Sequence, residues 1–269
     1  MTAAILAPAA IAVILFLPKF YTASIFALFL SIATWEWTRL GAFSKPVSLV
    51  CLVMFCVLAG VVLGHLGNHR AALFVLVVTS SVWLLIALFI FYAQRTGQIT
   101  LDGFFGRMLK SPVNCLILLL GALVGAATML VEDRALLLLI FVTVWTADSG
   151  AYFAGKRWGR RKLASNISPG KSWEGVFGGI GCSTVVLLIA TQFLVLSQAQ
   201  ALALVGSGIV AAGFSVIGDL FESLLKRASG VKDSGNILPG HGGLLDRIDG
   251  LIAAIPIYSL GFLFWVSKL

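Results

Sequence analysis

The sequence predicts an all-α, polytopic transmembrane helical protein with about nine spans. Of its 269 residues, 59% are hydrophobic and only 11% are charged, and the mean hydropathy is +1.03. Soluble chains carry roughly a quarter charged residues. Apolar runs recur along the whole chain, so lipid is the expected solvent for most of it. Residues 1–269 are therefore predicted to form a single integral membrane domain.

Each predicted span is a mostly apolar run bounded by polar or helix-breaking residues. About 20 such residues cross a bilayer as one helix, because lipid offers no partner to unpaired backbone groups. In order, the runs are 3–17, 20–40, 47–64, 71–93, 113–131, 135–154, 175–196, 201–225 and 244–267. The first run is short, and Pro18 follows it. If 3–40 is one broken unit, the count falls to eight.

Positive charges are distributed unevenly between the two sides that these spans define. Fifteen of the 19 lysines and arginines fall in four loops on one side. The positive-inside rule predicts that this side faces the cytoplasm. The net charge of +8 then reflects topology and anionic lipids, and no nucleic-acid partner is predicted. The other side carries only Lys19, Arg70, Arg134 and Lys268.

Acidic residues are concentrated in the second half of the chain, which also carries the two longest basic loops. We therefore expect 135–269 to form a catalytic half with cytoplasmic loops, and 1–134 to form a lipid-facing helical scaffold. Seven of the 11 acids fall after residue 140, namely Asp148, Glu174, Asp219, Glu222, Asp233, Asp246 and Asp249.

Span eight carries a polar stripe. Its members are spaced so that they share one helix face. Ionisable side chains inside a span are costly and mark a functional cavity. For Glu222, the alternative is an ion pair with Lys226, four residues further on. The stripe consists of Ser215, Asp219, Glu222, Ser223 and Lys226.

Span nine opens with two acids, Asp246 and Asp249, which share a helix face with Arg247 beside them. Together with Asp219 they offer the hard oxygen ligands that Mg²⁺ prefers. The sequence therefore predicts that Asp219, Asp246 and Asp249 bind a metal ion. A carboxylate near a helix N-terminus is also a good cap, which is the structural alternative for one of the two acids of span nine.

A loop rich in Gly, Pro, Ser and Asn, residues 232–243, joins these two spans. Its small residues would let a phosphate approach backbone N–H groups, and the N-terminus of span nine adds its positive dipole. Nearby basic residues are expected to neutralise phosphate. His241 is a candidate general base, phosphate donor or loop-shaping residue. The predicted catalytic residues are Lys226, Arg227, Lys232 and His241.

A third polar segment begins at Asp148, at the end of span six, and continues through a basic loop to residue 175. Its Gly-Lys-Ser run resembles part of a nucleoside-triphosphate-binding loop. That motif needs glycine where the chain has Ser165, and it needs a preceding strand, which is not predicted here. We therefore reject that motif. The predicted substrate-binding residues are Asp148, Ser168, Lys171, Ser223, Asp233, Gly242, Gly243 and Arg247.

These segments together resemble the signature of the CDP-diacylglycerol synthases, also called phosphatidate cytidylyltransferases. The match covers roughly the second half of the chain, and the first half resembles the family only in its hydrophobicity. Asp148-Ser149-Gly150-Ala151-Tyr152 and Ser168-Pro169-Gly170-Lys171-Ser172-Trp173 belong to it. The main run is Ser223-Leu-Leu-Lys226-Arg227, four residues, Lys232-Asp233-Ser234-Gly235, then Leu238-Pro239-Gly240-His241-Gly242-Gly243 and Asp246-Arg247-Ile248-Asp249.

The resemblance implies transfer of a cytidylyl group from CTP to phosphatidic acid, with release of pyrophosphate. It implies Mg²⁺, alone or with a second cation, held by acids that match Asp219 and Asp246. It also implies a homodimer among membrane lipids. With the positive-inside rule, it implies a bacterial cytoplasmic (inner) membrane protein whose active site faces the cytoplasm.

Two classes of alternative share some of these features. A CTP-dependent lipid kinase, or a cytidylyltransferase for another lipid such as an archaeal ether lipid, would use the same metal and nucleotide chemistry. A cation-coupled transporter would use Asp219 and Asp246 as ion ligands. The transporter is disfavoured because the charged groups crowd one face, whereas a transport path needs polar groups across the bilayer.

Overall fold

The computed structural model describes residues 2–96, 101, 103–237 and 242–266. Within these residues the chain forms ten helices and one two-stranded sheet, so the predicted all-α class is confirmed. The elements are α1 (Thr2–Phe16), α2 (Lys19–Leu40), α3 (Lys45–Gly64), α4 (His69–Thr96), α5 (Phe104–Leu109), α6 (Pro112–Glu132), α7 (Arg134–Trp158), β1 (Lys162–Ala164), β2 (Ser168–Ser172), α8 (Trp173–Ala190), α9 (Gln198–Ala228) and α10 (Leu245–Val266).

Among the described residues, 7 helices are long and apolar enough to cross a membrane: α3, α4, α6, α7, α8, α9 and α10. They coincide with seven of the predicted spans, and they confirm a polytopic integral membrane protein. The other two predicted spans coincide with α1 and α2, which Pro18 separates. At 1.5 Å per residue, the 15 residues of α1 reach about 22 Å, less than the roughly 30 Å hydrocarbon core. The count of nine stays a prediction.

Helix α6 lies at the centre of the bundle, where it packs against α2, α3, α4, α7 and α10. Its core residues Leu118, Leu119 and Leu123 are fully buried. A helix that is apolar all round is expected in such a position. The first half of the chain therefore supplies the central helix, in addition to helices with lipid-facing surfaces.

The bundle has two distinct ends, and the basic residues segregate between them. At one end, Lys19 Nζ donates to the Val131 carbonyl (2.8 Å) and the Arg134 guanidinium donates to the Leu15 carbonyl (2.8 Å). His69 and Glu132 pair at the same end, 3.6 Å apart. The loops with the fifteen basic residues connect the opposite helix ends, in agreement with the predicted alternation of spans. We call that opposite end the site end.

Residues 162–172 at the site end form an antiparallel hairpin, where the sequence predicted only a loop. Lys162 pairs with Ser172 and Ala164 pairs with Ser168, and the chain continues from β2 directly into α8. The expectation that no strand precedes the Gly-Lys-Ser run was therefore wrong, because β1 precedes it. The Gly-Lys-Ser run lies within β2, so it still does not form a phosphate-binding loop. Ser172 instead caps α8 by accepting a hydrogen bond from Gly175 N at 3.2 Å.

Hydrogen bonds also join the start of α8 to the segment between α7 and β1. The Glu174 carboxylate accepts hydrogen bonds from the backbone N–H groups of Arg160 (3.1 Å) and Arg161 (3.2 Å). The N–H group of Trp173 donates to the Arg161 carbonyl at 3.0 Å. These bonds satisfy the backbone where α7 turns into β1, and they fix β2 relative to the helices.

Candidate active site

The polar stripe predicted on span eight lies on α9, and it faces both β2 and the N-terminal turn of α10. Helices α9 and α10 pack closely along their length. The stripe grades from open to buried: the exposed fraction of the side chain is 42% for Asp219, 16% for Lys226 and 5% for Glu222. Two groups of side chains meet along it, one accessible and one buried.

The accessible group consists of three carboxylates from three helices, Asp148 on α7, Asp219 on α9 and Asp249 on α10, with Lys171 of β2. Lys171 Nζ lies 2.5 Å from Asp219 Oδ2. Asp148 and Asp249 lie close enough to interact electrostatically with both Lys171 and Asp219. We call the three carboxylates the acidic group. This part of the site therefore contains three acids and one lysine.

Ser223 also belongs to the accessible side of the site. Its hydroxyl donates to Asp219 Oδ1 at 3.4 Å, one helical turn away on α9. Two predicted substrate-binding residues, Lys171 and Ser223, therefore touch one predicted metal ligand. The structure brings these three residues together from two parts of the chain that are distant in sequence.

The buried group is organised around Lys226. Its ammonium forms ion pairs with Glu222, four residues earlier on α9, and with Asp246 Oδ1 of α10 at 2.6 Å. The ion-pair alternative for Glu222 is thus present in the structure. Lys226 was predicted to neutralise phosphate. In the structure its ammonium is already paired with the carboxylates of Glu222 and Asp246. A buried charge requires such partners, because isolated burial costs several kcal/mol.

The second carboxylate oxygen of Asp246 organises the loop before α10. It accepts hydrogen bonds from Ser234 N (2.9 Å), Ser234 Oγ (3.0 Å) and Gly243 N (2.8 Å). Gly242 has φ +81°, a conformation that glycine adopts without strain. The structural alternative for Asp246, binding of backbone N–H groups near the helix start, is therefore also present.

Glu36 of α2 is a site residue that sequence reasoning missed. Its side chain is only 1% exposed, and it accepts hydrogen bonds from Leu244 N (3.0 Å) and Leu245 N (2.7 Å). The amides of Leu244 and Leu245 are thus bound by a protein carboxylate, and the predicted contact between phosphate and the loop backbone stays a prediction. The signal was present in the sequence: an acid between two tryptophans inside an apolar span is by default functional.

The remaining predicted site residues occupy the rim. Ser168 opens β2, and Arg247 is exposed on the first turn of α10. Gly242 is half-buried beside Asp246. His241 lies outside the described residues, so its role stays a prediction. Arg227 is exposed on the last turn of α9, and Lys232 and Asp233 are exposed in the loop that follows.

No preformed metal cage exists in the part of the chain that the structure describes: it contains no group of three or more His, Cys, Asp and Glu side chains arranged to hold a metal ion. The assignment of Asp219, Asp246 and Asp249 as metal ligands stays a prediction. Of these, Asp219 and Asp249 belong to the acidic group. Asp246 lies one turn away, and Lys226 engages its Oδ1.

Comparison with known proteins identifies the family of the chain. Residues 1–265 match the model of the cytidylyltransferase family. A phosphatidate cytidylyltransferase of Pseudomonas aeruginosa is 38% identical over 272 residues, which covers 99% of this chain and 96% of that protein. The Haemophilus influenzae enzyme of the same name is 48% identical over 132 residues, covering 48% of this chain and 46% of the relative. That of Staphylococcus epidermidis is 47% identical over 129 residues, covering 48% and 49%. The chain belongs to the cytidylyltransferase family.

Proposed function

We propose that this chain is a membrane-embedded phosphatidate cytidylyltransferase, which makes CDP-diacylglycerol and pyrophosphate from CTP and phosphatidic acid. The observation that carries the proposal is the similarity over nearly the full length to a protein of that name. The site geometry agrees with it, because Lys171, Asp219, Lys226 and Asp246 all belong to the signature or contact it. Their position at one end of apolar helices suits a reaction between a water-soluble nucleotide and a lipid.

The chemical step requires little general acid–base catalysis. A phosphate-monoester oxygen of phosphatidic acid attacks the α-phosphorus of CTP. The new P–O bond forms as the bond between that phosphorus and the oxygen bridging to the β-phosphate breaks, and its electron pair leaves with pyrophosphate. The second pKa of a phosphate monoester is about 6, so the attacking oxygen is largely ionised at pH 7. The barrier lies in bringing two anions together in line.

We propose that three basic residues supply positive charge where these anions meet. Lys171 is held at the acidic group by its ion pair with Asp219, so its ammonium stands at the mouth of the site. Arg227 and Lys232 are exposed on the rim, where they can attract the triphosphate or the lipid phosphate. Lys226 is buried and paired, and its contribution is to hold Glu222 and Asp246 in place.

Mg²⁺ is the proposed cofactor, and the residues fit it. Asp148, Asp219 and Asp249 are oxygen donors from three helices that lie within electrostatic range of one another. Mg²⁺ sites commonly use one or two carboxylates and complete the shell with water and substrate phosphates, so no three-ligand protein cage is required. We propose that Asp219 and Asp249 would be the main ligands, and that Asp246, which is paired with Lys226, would add its charge from one helical turn away. When bound, Mg²⁺ would neutralise phosphate charge as a Lewis acid.

We also propose that the protein resides in a bacterial cytoplasmic (inner) membrane with the site end facing the cytoplasm. Two observations support this location: fifteen of the 19 basic residues lie in loops at the site end, and the relatives are bacterial. CTP is then available on the side where the acidic group opens. The proposed homodimer is supported by the family resemblance, and analytical ultracentrifugation of the detergent-solubilised protein would test it.

The activity itself is tested with purified protein in detergent. CTP, Mg²⁺ and phosphatidic acid should yield pyrophosphate and a CMP-containing lipid, and a chelator should stop the reaction. Diacylglycerol should not react, because its hydroxyl group is un-ionised and needs a general base. Formation of CDP with a phosphorylated diacylglycerol or polyprenol would instead identify a lipid kinase and overturn the proposal. Labelled CTP left intact under all these conditions would also overturn it.

A further inference from the structure

A carboxylate from the first half of the chain lies inside the signature loop of the second half. Glu36 of α2 is 1% exposed and accepts hydrogen bonds from Leu244 N and Leu245 N, at 3.0 and 2.7 Å. Both N–H groups belong to the start of α10, where the helix dipole stabilises an anion. A buried carboxylate with two such donors is well satisfied, and its loss would leave buried N–H groups unpaired.

The same carboxylate is linked to Asp246 through one hydroxyl group. Ser234 Oγ lies 3.3 Å from Glu36 Oε2 and 3.0 Å from Asp246 Oδ2. A hydroxyl has a single proton, so Ser234 donates to one of the two carboxylates at a time. Ser234 also donates its backbone N–H to Asp246 at 2.9 Å. Through Ser234, the position of Glu36 sets the position of the Asp246 side chain.

Two glycines of the signature loop are explained by this contact. A Cβ atom added to Gly235 would overlap Glu36 Oε1, and one added to Gly243 would overlap Ser234 Oγ and approach Glu36 Oε2. Glycine at both positions lets the loop backbone close around the carboxylate. The loop is therefore shaped to receive Glu36, although Glu36 lies outside the signature itself.

Helix α2 is well fixed for this purpose. Trp37 packs against Phe221 of α9 with ring centroids 5.6 Å apart, and Phe221 packs on Trp83 of α4 at 5.8 Å. The Ser229 hydroxyl, just after α9, donates to the Leu40 carbonyl at the end of α2. Contacts with α9 thus hold Glu36 in place, and Glu36 in turn holds Ser234 and the first amides of α10.

From these contacts we propose that Glu36 is a positioning residue of the cytidylyl-transfer site. Its carboxylate holds Ser234 and the first amides of α10, so that Asp246 meets Lys226 in the geometry the reaction requires. The inference rests on the proposed function. It assigns a role at the site to Glu36, which lies in the half of the chain, 1–134, that was predicted to form only a scaffold.

The test compares Glu36→Gln with Glu132→Gln, which makes the same chemical change at the opposite end of the bundle. Glu36→Gln keeps the size of the side chain but replaces one acceptor oxygen with an NH₂ group that faces a donor. We expect kcat/KM for CTP to fall by about 10- to 100-fold, the factor that one or two hydrogen bonds to a charged group would give. Part of the fall should be a higher KM for CTP, which a smaller folded fraction would not produce. Glu132→Gln should change neither quantity.

Hydrogen exchange gives a readout that does not depend on activity. In Glu36→Gln the amides of residues 243–245 should exchange faster, while those in the middle of α6 keep their protection. Unchanged exchange at 243–245, or an unchanged kcat/KM, would overturn the positioning role. If the wild-type protein does not turn over CTP, the proposed function is the part that fails. Wild-type activity retained in Glu36→Gln overturns this inference alone.

A second variant, Gly235→Ala, leaves Glu36 intact and tests the contact from the side of the loop. Gly235 has no positive φ, so Gly235→Ala introduces only the overlap with the carboxylate. It should lower kcat/KM in the same way. In Glu36→Ala the overlap is gone, so adding Gly235→Ala to that variant should cost little more. Such non-additivity is the signature of direct contact. Fully additive losses would contradict the proposal.

Discussion

Lys171 Nζ lies 2.5 Å from Asp219 Oδ2, and this ion pair joins the hairpin strand β2 to the polar face of α9. The two side chains are 23% and 42% exposed. An exposed pair of this kind contributes roughly 0–1 kcal/mol to stability. Its effect on structure is therefore small, and its significance lies in placing a cation beside the acidic group.

Lys171→Met should reduce activity with little loss of stability. We expect kcat/KM for CTP or phosphatidic acid to fall at least about tenfold, because one cation no longer offsets the repulsion between two phosphate groups. Lys162→Met is a matched control in the same hairpin, since among the described residues its ammonium donates to the Pro169 carbonyl at 2.7 Å and not to a carboxylate. Steady-state kinetics and thermal unfolding of the wild type, Lys171→Met and Lys162→Met check the prediction. Equal losses in both variants would show that the hairpin, and not the Lys171 charge, is responsible.

Asp219→Asn and Asp249→Asn should each remove activity by orders of magnitude and raise the Mg²⁺ concentration required for half-maximal rate. Both changes keep the size of the side chain and remove a charge from the acidic group. Asp133→Asn is the matched control, because Asp133 caps α7 at the opposite end and asparagine caps equally well. Rates measured across a Mg²⁺ titration check the prediction. Near-normal rates in both variants at saturating Mg²⁺ would contradict the metal assignment.

Asp246→Asn separates the two roles described for this residue. An asparagine oxygen can still accept from Gly243 N, but the charge that pairs with Lys226 is lost. We expect loss of activity together with lower stability, whereas Asp219→Asn should lower activity alone. Thermal unfolding midpoints measured beside initial rates distinguish the two patterns. Equal midpoints in the two variants would show that the Lys226 pair does not stabilise the fold.

The fold was predictable from hydropathy because apolar runs of span length leave few alternatives in lipid. Helical spacing was also sufficient to place Asp219, Ser223 and Lys226 on one face of α9. It also allowed the ion pair of Lys226 with Glu222, four residues earlier on the same helix. It could not reveal that Asp246 pairs with Lys226 as well, because Asp246 reaches it only through the crossing of α9 with α10. The spacing of residues along a helix determines which of them share a face. Their partners on other helices depend on tertiary packing.

Two features escaped sequence reasoning for identifiable reasons. The strands of the hairpin have 3 and 5 residues, and β2 contains Pro169 and Gly170, so no alternation of apolar residues marks it. Glu36 was overlooked because its partners are about 200 residues away in sequence. Its single charge within an apolar run was nonetheless visible.

Single-cysteine labelling tests which side of the membrane the site faces. In a background without Cys51, Cys56, Cys115 and Cys182, cysteines at exposed positions Ser165 and Asn236 should resist an impermeant thiol reagent in whole cells, because the basic loops are expected in the cytoplasm. A cysteine at Ala199, exposed at the start of α9 and hence at the opposite end, should be labelled. All three should react after permeabilisation. Labelling at 165 and 236 but not at 199 in intact cells would invert the topology, and it would place the acidic group on the side that CTP does not reach.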